Sequence, residues 1–323
     1  MSPSRLLPDL FTRLLIATVL LASFLPCSGR PAQMFDHAAN FGIALLFFLH
    51  GARLARSVII AGALHWRLHL LVLSCTYLLF PLLGWLARPA YEPLLGPALA
   101  VGMVYLCVLP STVQSSIAFT SMARGNVAAA VCSASASNMA GVFLTPLLAN
   151  LLLAGQGATA GVSLDAIWKI VQQLLLPFVA GQLLSPLLMG WIKRHPKLIR
   201  VVDQGSILLV VYTAFSAAVI EGLWQQLAPS TLFLLVGVNA LLLALVLLTT
   251  GFLARRLGFD RADRIAIIFC GSKKSLATGV PMAKVLFAAN AFGAAVLPIM
   301  LFHQMQLMTC AVLASRWGAE VAD

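Results

Sequence analysis

The chain has 323 residues, of which 61% are hydrophobic and 10% charged, and its formal net charge is +11. Soluble domains carry about 25% charged residues, so this composition excludes an ordinary soluble fold and points to an all-α polytopic membrane protein. Long apolar runs, rather than short alternating segments, exclude an outer-membrane barrel. In so apolar a chain the basic excess reads as membrane orientation and not as a nucleic-acid surface.

At roughly 20 apolar residues per crossing, ten transmembrane segments are expected. They fall at about 13–27, 34–50, 66–87, 97–121, 127–153, 167–190, 202–221, 230–254, 265–287 and 290–314. The first, behind Arg5 and Arg13, also has the form of a signal peptide. Charge separates the two readings. Fifteen Lys and Arg fall on one side of the expected spans, among them Arg53, Arg56, Arg67, Arg124, the cluster Lys193 to Arg200 and the cluster Arg255 to Arg264. Four fall on the other: Arg30, Arg88, Lys169 and Lys284. Basic residues collect on the cytoplasmic side, so both termini are expected in the cytoplasm. That needs an even number of spans and keeps the first segment. The expected location is the inner membrane of a bacterial cell. All six cysteines lie in or beside apolar runs without a CxxC pair and read as packing residues.

Along the chain, segments two and seven open on Phe35-Asp36-His37 and Val202-Asp203-Gln204, each Asp standing where a helix N-cap belongs. His65 and His69 have i,i+4 spacing but no following Glu, and read as interfacial structural residues. Segment four is broken by Pro110-Ser111-Thr112-Val113-Gln114-Ser115-Ser116. Pro110 removes a helix hydrogen bond and frees a carbonyl. With Thr112, Gln114, Ser115 and Ser116 this gives hard oxygen ligands for an alkali cation or a polar solute. Segment five carries Ser133, Ser135, Ser137 and Asn138 among alanines. Its serines also suit close helix packing, and Asn138 is the favoured site residue.

Segment nine is broken by Gly271-Ser272-Lys273-Lys274-Ser275. Lys273 lies nine residues past Arg264, roughly 13–14 Å along a helix and near the middle of a ~30 Å core. A charged side chain there costs about 2.5–3.5 kcal/mol on insertion scales. Two in succession point to a water-accessible site, where ammonium groups bind an anion or stand in for a bound cation. Segment ten adds His303, Gln304 and Gln306 at the same level. These features recur at an offset of about 155–167 residues, as expected of two five-helix inverted repeats, about 13–153 and about 167–314, in a single transporter domain. None of the ten acidic residues lies centrally in a span. No HExxH, GxGxxG, P-loop or nucleophile–base set is present, so neither an enzyme, a resident cofactor nor an ATP-driven step is expected.

The run Leu109 to Val127 resembles the fourth-helix signature of the bile acid:sodium symporter superfamily. The run Phe269 to Met282 resembles its ninth-helix signature, in the version carried by prokaryotic sodium-dependent transporters related to vertebrate solute carrier family ten, member seven. The similarity covers about residues 34–314. It implies ten helices divided into a panel and a core domain, unwound and crossing helices four and nine, and alternating access. It also implies two sodium ions near the crossing. The first would involve Gln114, Ser115 or Ser116 and segment-five hydroxyls such as Ser133 and Ser137. The second would involve Gly271, Ser272 and Lys273 with Thr76. Sodium itself would be held at Ser115, Ser116 and Ser272. Phe269 stands where the family has a sodium-binding glutamate, and Lys273 where it has a glutamine. A lysine in a sodium site would supply the positive charge itself.

The expected function is therefore secondary active transport of a small organic, anionic solute, as a sodium symporter with atypical ion sites. Lys274, Ser275 and Gln304 complete the candidate site. Membrane lipid and the solute are the expected partners, nucleic acid is not, and the oligomeric state stays open. The alternative is a membrane regulatory protein that controls ion handling through a partner.

Overall fold

The computed structural model describes residues 10–53, 65–153, 171–220, 222 and 228–320, and every regular element among them is a helix. In chain order these are α1 (Leu10–Phe24), α2 (Gly29–Ala52), α3 (Trp66–Leu86), α4 (Arg88–Leu95), α5 (Pro97–Val108), α6 (Gln114–Met122) and α7 (Val127–Leu153). There follow α8 (Leu176–Arg194, after a π turn at Val171–Leu175), α9 (Pro196–Ile220), α10 (Pro229–Arg256), α11 (Arg261–Gly271), α12 (Leu276–Leu286) and α13 (Ala289–Ala319).

Seven helices among the described residues are long and apolar enough to cross a membrane: α2, α3, α7, α8 with its π turn, α9, α10 and α13. Expected segment one is the shorter α1. Segments four and nine are each two short helices, α5 with α6 and α11 with α12. Residues 167–170 at the expected start of segment six lie outside the described residues, as do Arg5, Asp9, Arg56, Asp165, Lys169, Glu221 and Asp323.

The chain forms two compact units, each drawing on both halves of the sequence. The first gathers Met1–Ala55, Ala154–Ala228 and Val280–Val296. In it α2 packs on α8 and α9, and α1 on α9. A Cβ on Gly51 would collide with the Phe178 carbonyl, and one on Gly181 with the Phe48 carbonyl. The α2–α8 backbones therefore touch, as small residues allow within a membrane. Beside this contact Ser185 Oγ donates to the Ala52 carbonyl at 2.8 Å.

The N-cap expectation for the two aspartates fails here. Asp36 and Asp203 lie inside helices that begin at Gly29 and Pro196. The apolar runs begin later than the helices, because polar residues at the membrane boundary continue the helical turns. The carboxylates serve ion pairs instead: Asp203 with Arg53 at 2.7 Å and Asp36 with Lys284 at 2.6 Å.

The second unit gathers Arg56–Leu153, Pro229–Gly279 and Leu297–Asp323. Here α7 packs on α3, α5 and α6, and α11 packs on α3, α6, α7 and α10. The alanine-rich face of α7 permits these approaches. Ala129, Ala130 and Ala134 are enclosed against Leu68, Val72, Ala266, Ile267 and Cys270.

Candidate functional site

The site is built in the second unit, where three helices lose their regular hydrogen bonding. In α3 the cause is Pro81. A π turn spans Cys75–Leu79, and the Phe80 N–H bonds to the Cys75 carbonyl. The Thr76 carbonyl would otherwise take the Phe80 N–H. One residue further on stands Pro81, which has no N–H to give. The Thr76 carbonyl is left free, while the Thr76 hydroxyl bonds back to Val72 O at 2.8 Å.

Between α5 and α6, residues 109–113 are non-helical. Pro110 cannot continue the ladder, and the Ser111 N–H that would close on the Cys107 carbonyl donates instead to Ser137 Oγ at 3.0 Å. The Cys107 and Leu109 carbonyls are thereby available. Between α11 and α12, residues 272–275 are non-helical.

The two breaks are bonded to each other. Ser275 N–H donates to Pro110 O at 2.8 Å. Ser111 Oγ donates to Cys270 O, and Ser116 Oγ to Phe269 O at 2.9 Å. Asn138 on α7 joins the first break to the first turn of α12: its Nδ2 donates to Ser111 O at 2.6 Å, and its Oδ1 accepts from Thr278 Oγ1 at 3.0 Å. Thr278 Oγ1 also accepts from Ser275 Oγ at 3.0 Å. Thr112 Oγ1 lies 2.7 Å from Ser115 Oγ and 3.1 Å from Ser116 Oγ, a compact group of hydroxyls.

The two lysines have different surroundings, although both are fully enclosed. Lys274 Nζ donates to the carbonyls of Thr76 (2.8 Å), Cys107 (2.7 Å) and Leu109 (2.7 Å). An ammonium has three N–H donors, and all three are used. The Phe80 ring lies 4.2 Å away. Its own backbone is held by Gln306, whose Oε1 accepts from Lys274 N and whose Nε2 donates to Lys274 O, both at 2.8 Å. Lys273 Nζ has no hydrogen-bond partner among the described residues. It sits 4.0 Å from the Phe119 ring centroid and 5.3 Å from that of Phe269, within the range of cation–π attraction.

No carboxylate among the described residues joins this network. The acidic side chains described in this unit are engaged elsewhere: Glu92 with Arg88, Asp260 as the N-cap of α11, Asp263 with Asn126 and Glu320 with Arg261.

Most of the residues singled out from sequence meet here: Thr76, Thr112, Ser115, Ser116, Ser137, Asn138 and Gly271 through Ser275. Others stand apart. Ser133 Oγ bonds His69 Nδ1 at 2.7 Å. Gln114 is exposed. Gln306 grips the break. The sequence places Gln306 at this level but gives no reason to prefer it to Gln304, and it does not mark Thr278 or Tyr105, whose hydroxyl donates to Gly279 O at 2.6 Å. Pro81 inside an apolar run was the available signal for the free carbonyl in α3.

Comparison with known proteins extends over the whole chain. The sequence model of the SBF-like CPA transporter family matches residues 9–319. The chain is 63% identical to PA2026 of Pseudomonas aeruginosa, over 100% of this chain and 97% of that protein. It is 55% identical to "Putative symporter YfeH" of Escherichia coli K12, over 96% and 92%. It is 28% identical to the "Sodium/bile acid cotransporter 7" of Rattus norvegicus, over 88% and 84%.

Proposed function

Because the chain belongs to the SBF-like CPA transporter family and is a membrane transporter, we propose that it carries a small organic anion across a bacterial inner membrane by alternating access. The observation that carries the anionic reading is charge. Two adjacent ammonium groups are enclosed at hydrogen-bonded helix breaks, and no described carboxylate balances them. A negatively charged solute entering near Lys273 would meet a cation held only by ring faces, and would gain its first full ionic partner there.

The names of the relatives support a sodium-coupled form of this transport. Among the described residues the hydroxyls of Thr112, Ser115 and Ser116 are the group best suited to a travelling sodium ion, which takes oxygen ligands. Ser272 is turned back, its hydroxyl donating to Ile268 O at 2.6 Å. In this transporter the two breaks mark the crossing point of two inverted repeats, about 13–153 and about 167–314, and the basic-residue bias sets both termini in the cytoplasm.

The test uses purified protein in detergent and then in liposomes. A panel of carboxylates, sulfonates and organophosphates is screened for a rise in melting temperature, and each hit is assayed for uptake with sodium or choline outside. Saturable uptake of at least one anion, lost in Lys273→Ala and Asn138→Ala, is expected. A panel that neither stabilises nor enters would overturn the reading in favour of a regulatory membrane protein.

A further inference from the structure

We propose that the carbonyl oxygens of Thr76, Cys107 and Leu109 form a binding site for a small monovalent cation, which this chain fills with its own Lys274 ammonium group. The distances are those of charge-assisted hydrogen bonds, 2.7–2.8 Å to all three oxygens. The ring face of Phe80 at 4.2 Å covers a further side.

The site is made of dipoles alone, and the chain prepares it without reference to the lysine. Thr76 O is free because of the π turn and Pro81. Cys107 O is free because Ser111 N–H goes to Ser137. Leu109 O belongs to the non-helical stretch. These causes persist when the side chain is removed, so the three oxygens stay gathered. Lys273 is the internal control: it is equally enclosed, one residue away, and meets ring faces instead of carbonyls. Enclosure by itself therefore does not produce such a shell.

The consequence deepens the transport reading without depending on the solute. At this position the cation is tethered and does not travel, so any ion carried with the solute binds elsewhere.

The experiment compares full-length wild type, Lys274→Ala and Lys273→Ala. Melting is followed at fixed ionic strength in choline chloride, with ammonium, methylammonium or sodium chloride replacing it stepwise. Lys274→Ala is expected to melt below wild type in choline. It should recover saturably with at least one of the small cations, by an increment larger than that cation gives the other two proteins. A cation at 100 times its Kd raises the folded-to-unfolded ratio about 100-fold. Identical melting of Lys274→Ala in all four salts overturns the proposal, and so does an increment that for every cation is no larger in Lys274→Ala than in wild type. Should Lys274→Ala not survive extraction, Lys274→Met and Lys273→Met decide. A loss confined to Lys274→Met supports the site, and a Lys274→Met protein as stable as wild type overturns it. Absence of anion uptake in every protein would sink the transport reading and leave this melting comparison intact.

Discussion

Gly51 and Gly181 hold α2 and α8 in backbone contact, each lying against a carbonyl of the other helix. Neither position has room for a methyl group. Gly51→Ala or Gly181→Ala should therefore push the two helices apart and cost about 1–3 kcal/mol or more, as overpacking does. Gly190, on the same α8, has nothing within 4 Å of an added Cβ. Gly190→Ala should gain about 0.5–1 kcal/mol from helix propensity alone. Thermal melting of the three variants in one detergent distinguishes them, and equal losses would refute the contact.

Asn138 ties the α5–α6 break, through Ser111 O, to the first turn of α12, through Thr278 Oγ1. Asn138→Ala leaves Ser111 O and Thr278 Oγ1 short of a partner, at about 1–3 kcal/mol for each buried group left unsatisfied. Uptake of any transported solute should fall with it. Asn138→Asp keeps the acceptor for Thr278 but sets an acceptor-only carboxylate oxygen against Ser111 O and Ala134 O, so it should melt no higher than the alanine variant. A fully active, wild-type-stable Asn138→Ala would contradict this role.

Gln306 substitutes for a missing helical turn by pairing with both backbone groups of Lys274. Gln306→Leu should cost about 1–3 kcal/mol per orphaned group and speed amide exchange at residues 272–275. Hydrogen exchange followed by mass spectrometry reads this directly. Unchanged exchange in that peptide would show that the break is held by other bonds.

Arg88 bonds Glu92 through Nε (2.9 Å) and an Nη (3.1 Å) on α4, between the third and fourth expected segments. This hydrogen bonding, helped by the Arg88 charge, holds the Glu92 carboxyl below its ordinary value against the opposing effect of desolvation. The folded state binds the proton less readily than the unfolded chain. The stabilisation is therefore complete above the ordinary glutamate value of about 4.3 and disappears as pH falls through the lower folded value. Wild type should lose more melting temperature than Glu92→Gln between neutral pH and about pH 3. Parallel acid melting curves would refute it.

Much of this site is legible in the sequence because its makers are local. Pro110 and a run of hydroxyl residues announce one break, and two lysines between Gly271 and Ser275 announce the other. Partner choice is less legible. Gln304 and Gln306 are two residues apart on one helix and so point about 160° apart at 3.6 residues per turn; only the packing of α13 brings Gln306 onto the Lys274 backbone. Asp36 and Asp203 stand where the apolar runs begin and so suggest caps, yet their helices begin earlier, at Gly29 and Pro196. The π turn leaves no pattern of its own beyond Pro81, since its free carbonyl matters only when a donor from α11–α12 arrives.

Lys274 also acts as a mechanical fastener. Its three bonds run to the π turn of α3, to the last turn of α5 and to the stretch that follows it, while its own backbone is clamped to α13. Separating α3, α5 or the stretch after it from the lysine breaks a charge-assisted bond at a fully enclosed group. The four segments are thereby tied at one point, and moving any of them away from the lysine costs a hydrogen bond, to its charged group for three of them and to its backbone for α13.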